Sequence, residues 1–151
     1  MRTRWAAAKS LYLLAAFGFV LLCDAPAGFA DSKPLKLLFL GDEGHHRPVE
    51  RFKQLQPAMA SRDIELTYTD VADDLNPETL NKYDGLIVYA NIEKISPEQE
   101  RALLDYVAAG HGFVPLHCAS YCFLNSPKYI DLVGAQFQKH GTGTFRTTLA
   151  E

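Results

Sequence analysis

Three reactive side chains, those of His117, Cys118 and Ser120, follow directly on a short apolar segment at residues 113–116. The segment has the length and composition of a buried β-strand. The three side chains therefore lie where a strand ends. In open α/β sheets, ligands bind in the crevice at the carboxyl ends of the strands. The stretch from 110 to 121 is the first candidate for a functional site.

Three interpretations fit His117 and Cys118. Cys118 can act as a thiolate nucleophile with a nearby histidine as base. Together with His45, His46 and His117, it can also form a zinc site. The third interpretation is a tight turn that buries a small thiol and a hydrogen-bonded imidazole. Neighbouring residues of a strand point to opposite faces, so the base for Cys118 would come from His45 or His46 rather than from His117.

Polar loops follow the other predicted strands as well. Asp42, His45 and His46 follow the first strand, Asp70 follows the second and Asn91 follows the third. Because parallel strands end at one edge of their sheet, these loops and the 117–118 turn are expected to converge. His140, in a glycine-rich turn near the end of the chain, would reach the site only if the last segments fold over it.

Strand-length apolar runs alternate with helical patterns along the chain. The predicted strands are 35–40, 64–69, 86–89 and 112–116, the second of them nearer a sheet edge. This alternation on short loops predicts an α/β fold with a doubly wound parallel sheet. Two more extended segments are predicted at 135–139 and 144–149. No helix follows the last one, so the domain is expected to be incomplete at its C-terminus.

Helix starts are marked by proline at the first position after a capping residue. Pro48 opens a helix to about residue 62, which Pro57 is expected to interrupt or kink. Short helices follow Asn76 and Ser126, and a longer one runs from Ser96 to about residue 110.

The first thirty residues have the pattern of a secretory signal peptide. A positive start precedes a 13-residue apolar run, and Gly28 and Ala30 supply small residues before a cleavage site. An uncleaved anchor is the alternative, but about 20 apolar residues are needed to span a bilayer. The pattern predicts a domain from 31 to 151 in the periplasm or outside the cell, with no stable membrane insertion.

The composition of the predicted mature chain limits its partners. Removing residues 1–30 removes three cations and one anion, so the net charge moves from −3 to −5. No basic patch indicates a nucleic-acid partner, and no motif indicates a cofactor. Cys118 and Cys122 would be the remaining cysteines, and two free or partly buried thiols are favoured over a disulfide. The oligomeric state is left open.

Three motifs resemble the ThuA-like, or trehalose-utilisation, family: GDEGHHR at 41–47, YDGLIVY at 83–89 and GHGFVPLHCA at 110–119. The likeness extends from residue 35 to the end. The chain is similar to the exported family members found in planctomycete-type bacteria. Some of those proteins are fused to sugar-processing or haem-binding modules. The resemblance implies the flavodoxin-like fold of class I glutamine amidotransferases and a role linked to carbohydrates.

The same resemblance indicates which residue occupies the nucleophile position of amidotransferases. Amidotransferases carry Gly-x-Cys-x-Gly after this strand, and an ungapped count from Gly110 places the nucleophile position at His117. Pro115 and Ala119 occupy the flanking glycine positions. Such a strained turn prefers small flanking residues, so glutamine hydrolysis is not predicted.

The convergent loops predict a ligand pocket at the carboxyl edge of the sheet, and the resemblance implies that the domain acts in disaccharide or keto-sugar metabolism. The histidines would be acid/base or substrate-binding groups, with Asp42 orienting a histidine. The alternative is a non-catalytic binding or scaffolding module of a larger exported protein, and a metal site is a third hypothesis. The residues assigned are, as catalytic groups, His117, His45 and His46, and as substrate-binding groups, Asp42, Asn91 and Cys118.

Overall fold

A computed structural model of the protein describes residues 33–144 and 146–148. The predicted signal peptide, residues 1–30, lies outside the described residues. Within them, no helix combines the length and the hydropathy needed to cross a membrane.

Four parallel strands form the sheet: β1 (Leu35–Leu40), β2 (Ile64–Thr69), β3 (Gly85–Val88) and β4 (Gly112–Pro115). Their order is β2-β1-β3-β4, which is the order of a flavodoxin-like doubly wound sheet. The predicted fold class is confirmed, and β2 does lie at an edge. All four residues of β3 are buried, as expected for an inner parallel strand covered on both faces.

Four helices connect and cover the strands: α1 (Pro48–Ala60), α2 (Pro77–Leu80), α3 (Pro97–Ala108) and α4 (Pro127–Val133). Each begins with a proline, whose missing N–H costs nothing at a helix start. Ser96 and Gln99 form the predicted capping box of α3. The Asn76 and Ser126 side chains cap α2 and α4.

Alternate residues of each strand point to opposite faces, and this alternation builds two cores. Leu40 and Val88 face α3 and the chain after β4, in a buried cluster that includes Leu103, Phe123 and Tyr129. On the other face, Phe39, Leu66 and Ile87 pack against α1. The sheet is thus held between two layers, with the loops after β1, β3 and β4 at one edge.

Two predicted features are not found among the described residues: an interruption of α1 at Pro57 and strands in the two segments after α4. Helix α1 continues through Pro57 to Ala60. Proline lacks one backbone donor, but three residues from the helix end its loss is not enough to end the helix. The segments 135–139 and 144–149 form no strand among the described residues, which leave out 145 and 149. In the first segment, the Phe137 N–H donates instead to the Ser120 carbonyl in the turn after β4.

Candidate functional site

The loops after β1, β3 and β4 surround a cleft of about 440 Å³ at the carboxyl edge of the sheet. This volume lies within the roughly 300–1,000 Å³ typical of small-molecule sites. The side chains that line it come from three strand-end loops and from the segment after α4. They are His45, His46, Asn91, His117, Cys118, Ser120, Tyr121, Phe137, Gln138 and His140.

Three imidazoles are in contact within the cleft. The ring centroids of His45 and His46 are 4.0 Å apart, and those of His46 and His117 are 4.7 Å apart in an edge-to-face arrangement. The His117 ring also stacks on Tyr89, with 5.9 Å between centroids and 29° between planes. Two loops separated by about 70 residues of sequence are thus brought together, as the strand-end argument predicts.

The His117 backbone has a φ of 46°, in the left-handed region that non-glycine residues rarely occupy. It opens a 3₁₀ turn, His117–Tyr121, in which the Ser120 hydroxyl donates to the His117 carbonyl at 3.2 Å. Backbone strain of this kind is found most often at ligand sites. Here it turns the chain sharply at the end of β4 and directs the imidazole into the cleft.

Asp42 holds two loops of the cleft together through its carboxylate. One oxygen accepts from the Gly44 N–H at 2.6 Å, and the other accepts from the Asn91 N–H. A Cβ at Gly44 would lie 2.8 Å from the Asp42 Oδ1 atom, so the close approach requires glycine there. Among the described residues, the hydrogen bonds of this carboxylate go to backbone amides rather than to an imidazole. Asp42 thus positions the histidine loop through its backbone.

Asn91 places its side chain at the wall of the cleft. Its Oδ1 atom is buried and has no hydrogen-bond partner among the described residues. A buried acceptor left unpaired costs about 1–3 kcal/mol. Among the buried side-chain nitrogen and oxygen atoms of the described residues, the Asn91 Oδ1 alone lacks a partner.

The pKa of His46 is lowered from its ordinary value of 6.5. Desolvation is the largest cause, the charges of His45 and His117 act in the same direction, and Asp42 opposes them. A lowered folded-state pKa means that the unfolded state takes up the proton more readily. The contribution of His46 to stability is present above pH 6.5 and is lost as the pH falls through the folded-state pKa. At neutral pH His46 is an uncharged imidazole that can accept a proton.

Cys118 and Cys122 are buried free thiols, as predicted, with Cys118 5% exposed and Cys122 1% exposed. Burial is the main cause that raises the pKa of Cys118 to about 11 and that of Cys122 to about 12. The Cys122 thiol donates to the Ala90 carbonyl at 2.7 Å. A thiol that stays protonated is a poor nucleophile, so the geometry disfavours the interpretation of Cys118 as a thiolate.

A metal site requires several ligand side chains that point to one position. No group of three or more His, Cys, Asp or Glu side chains is arranged to hold a metal ion within residues 33–144 and 146–148. Asp70 does not line the cleft, because β2 is the edge strand furthest from β4.

Ser120 and Tyr121 lie in the candidate stretch 110–121 and do line the cleft, although neither was assigned a role. Two lining residues were not anticipated from the sequence: Phe137 and Gln138. His140 had been expected to reach the site only if the last segments fold over it, and it does line the cleft. Phe137 and Gln138 lie in a segment without regular structure, where no periodicity indicates which side chains point inward.

Residues 36–150 match the profile of the ThuA family, which is described as trehalose utilisation. The chain belongs to the ThuA family. No curated protein matches the chain.

Two solved structures share the ThuA-like fold. A ThuA-like protein from Bacteroides uniformis aligns with a TM-score of 0.59 at 20% identity, covering 73% of this chain and 47% of that one. One from Parabacteroides merdae aligns with a TM-score of 0.53 at 21% identity, covering 64% and 37%. At such identities the likeness establishes the fold. The chain spans less than half the length of either structure.

Proposed function

We propose that this ThuA-family domain binds a sugar in the cleft and acts on it with the histidines as acid/base groups. The observation that carries the proposal is the contact of His45, His46 and His117 at one wall of a cleft of small-molecule size. The trehalose-utilisation description of the family supports a disaccharide or an oxidised disaccharide as the ligand.

The chemistry available to the histidines is proton transfer. His46, with its lowered pKa, is neutral at pH 7 and suited to accept a proton from a hydroxyl or from a carbon next to a carbonyl. His117 lies against it on the same wall of the cleft and can donate a proton to the ligand or accept one from it. A pair of imidazoles in contact therefore supports a reaction in which one proton is removed and another is delivered.

Replacing His117 by alanine is expected to lower the conversion of trehalose or oxidised trehalose by about 100-fold or more, the usual contribution of general acid/base catalysis. Conversion would be followed by mass spectrometry of the sugar products. His111→Ala is the matched control, because His111 stacks on Tyr106, 4.1 Å between centroids, and does not line the cleft.

Unchanged conversion by the His117→Ala variant would remove this imidazole from the reaction. An equal loss in both variants would point to destabilisation instead. If the wild type binds trehalose without converting it, the domain is a binding module, which was the alternative from the sequence.

We also propose that the protein is exported, on the strength of the charged start, the apolar run and the small residues at 28 and 30. Expression of the full-length protein in a bacterial host is expected to give a periplasmic product that begins at Asp31. Edman sequencing of the periplasmic fraction measures this. A product that retains Met1 and stays in the cytoplasm would contradict export, and Ala30→Arg should abolish cleavage.

A further inference from the structure

A second wall of the cleft is aromatic. Tyr121 and Phe137 line it, with ring centroids 6.1 Å apart and planes at 73°. The Phe137 side chain is 41% exposed, although a benzyl group of this size is normally buried. An exposed ring inside a concave site is therefore a candidate contact for a ligand.

The position of Phe137 is coupled to that of His117. Gly134, with a φ of 78°, ends α4, and three residues later the Phe137 N–H donates to the Ser120 carbonyl at 2.9 Å. The Ser120 hydroxyl in turn donates to the His117 carbonyl. One short turn thus anchors both the aromatic wall and the imidazole, so the two face the same ligand at a fixed separation.

The cleft carries no fixed charge in the described part of the chain. Its lining side chains include no Lys, Arg, Asp or Glu. A phosphate group entering it would lose hydration without a cation to compensate, which is unfavourable. The imidazoles, the Asn91 amide and Gln138 can instead exchange hydrogen bonds with neutral hydroxyls.

We propose that the exposed Phe137 ring, which packs edge-to-face on Tyr121, forms a stacking platform for the C–H face of an uncharged sugar ring, whose hydroxyls meet the imidazoles and Asn91. This inference rests on the proposed function and adds the residues that contact the ligand. The ring faces of Tyr and Phe carry partial negative charge, and sugar C–H groups present partial positive charge to them. A pyranose is apolar on one face and polar at its rim, as the cleft is.

The test is isothermal titration of the full-length protein with trehalose and with trehalose 6-phosphate. Wild-type protein is expected to prefer trehalose at pH 7.5. Phe137→Ala is expected to bind trehalose about tenfold more weakly, and Phe137→Trp to restore the affinity because it keeps a ring face. Leu35→Ala, which truncates a similarly exposed apolar side chain outside the cleft, is the control and should bind like wild type.

The outcomes separate this inference from the proposed function. Trehalose binding that His117→Ala weakens and Phe137→Ala leaves unchanged would overturn the platform alone. Tighter binding of trehalose 6-phosphate than of trehalose would overturn the inference that the ligand is uncharged. No binding of trehalose by the wild type would overturn both proposals. Loss in Phe137→Ala and recovery in Phe137→Trp, with His117→Ala impaired in conversion, would support both.

Discussion

Phe123→Ala is expected to lower the free energy of unfolding by about 3–5 kcal/mol, the usual cost of removing a buried phenyl ring. Phe123 is 0% exposed, and its ring packs edge-to-face on Tyr129 with 4.9 Å between centroids. Its backbone has a φ of 51°, but alanine shares that strain, so the difference comes from the cavity. A domain with about 5–15 kcal/mol of stability would become marginal. Urea unfolding followed by circular dichroism measures the change.

The same substitution at an exposed position is the control. Phe137→Ala removes an equal number of atoms from a ring that is 41% exposed, and is expected to change stability by about 0.5 kcal/mol or less. Equal losses in the two variants would mean that burial of Phe123 is not what stabilises the turn after β4.

Asp42→Ala is expected to lower the free energy of unfolding by about 1–3 kcal/mol and to weaken trehalose binding. It leaves the N–H groups of Gly44 and Asn91 without their acceptor. Gly44 is exposed, so water replaces one of the two bonds, which keeps the loss at the lower end. The loss of binding has a different cause, because the loops that carry His45 and His46 and that carry Asn91 are no longer tied together.

The charge of Asp42 has a separate, spectroscopic signature. Because Asp42 raises the pKa of His46, Asp42→Asn is expected to lower that pKa further, measured by NMR titration of the imidazole C–H signals. Asp70→Asn, in the loop after the far edge strand, is the matched control and should leave the His46 titration as in wild type. An Asp42→Ala variant with wild-type stability and wild-type trehalose binding would show that this carboxylate does not organise the cleft.

The secondary structure was largely predictable because short-range interactions determine it. The apolar run of β1 indicates a strand buried on both faces, and the sequence Ser96-Pro97-Glu98-Gln99 contains every group of the capping box that starts α3. The strand-end rule then places His45, His46 and His117 at one edge, since all strands of the sheet are parallel.

The features that were predicted wrongly or missed have no signal in the local sequence. Pro57 was expected to interrupt or kink α1, and the helix is not interrupted: it continues to Ala60, with Phe52, Leu55 and Met59 packed on the sheet. Cys118 has the residue type of a nucleophile, and its sequence does not reveal the burial that raises its pKa. Phe137 lies in irregular chain, where a hydrogen bond from its N–H to the Ser120 carbonyl and ring contact with Tyr121 position it.

The sequence by itself determined the alternation of strands and helices, the family resemblance and the loops that hold polar residues. Only the tertiary structure decided which of these side chains meet. The contact of His46 with His117 and the hydrogen bond that the Asn91 N–H donates to the Asp42 carboxylate each join residues about 50 to 70 positions apart. Such contacts depend on strand order and on the backbone path of each loop. The turn 110–121 remains the centre of the site, with His117 in the cleft and Cys118 buried beside it.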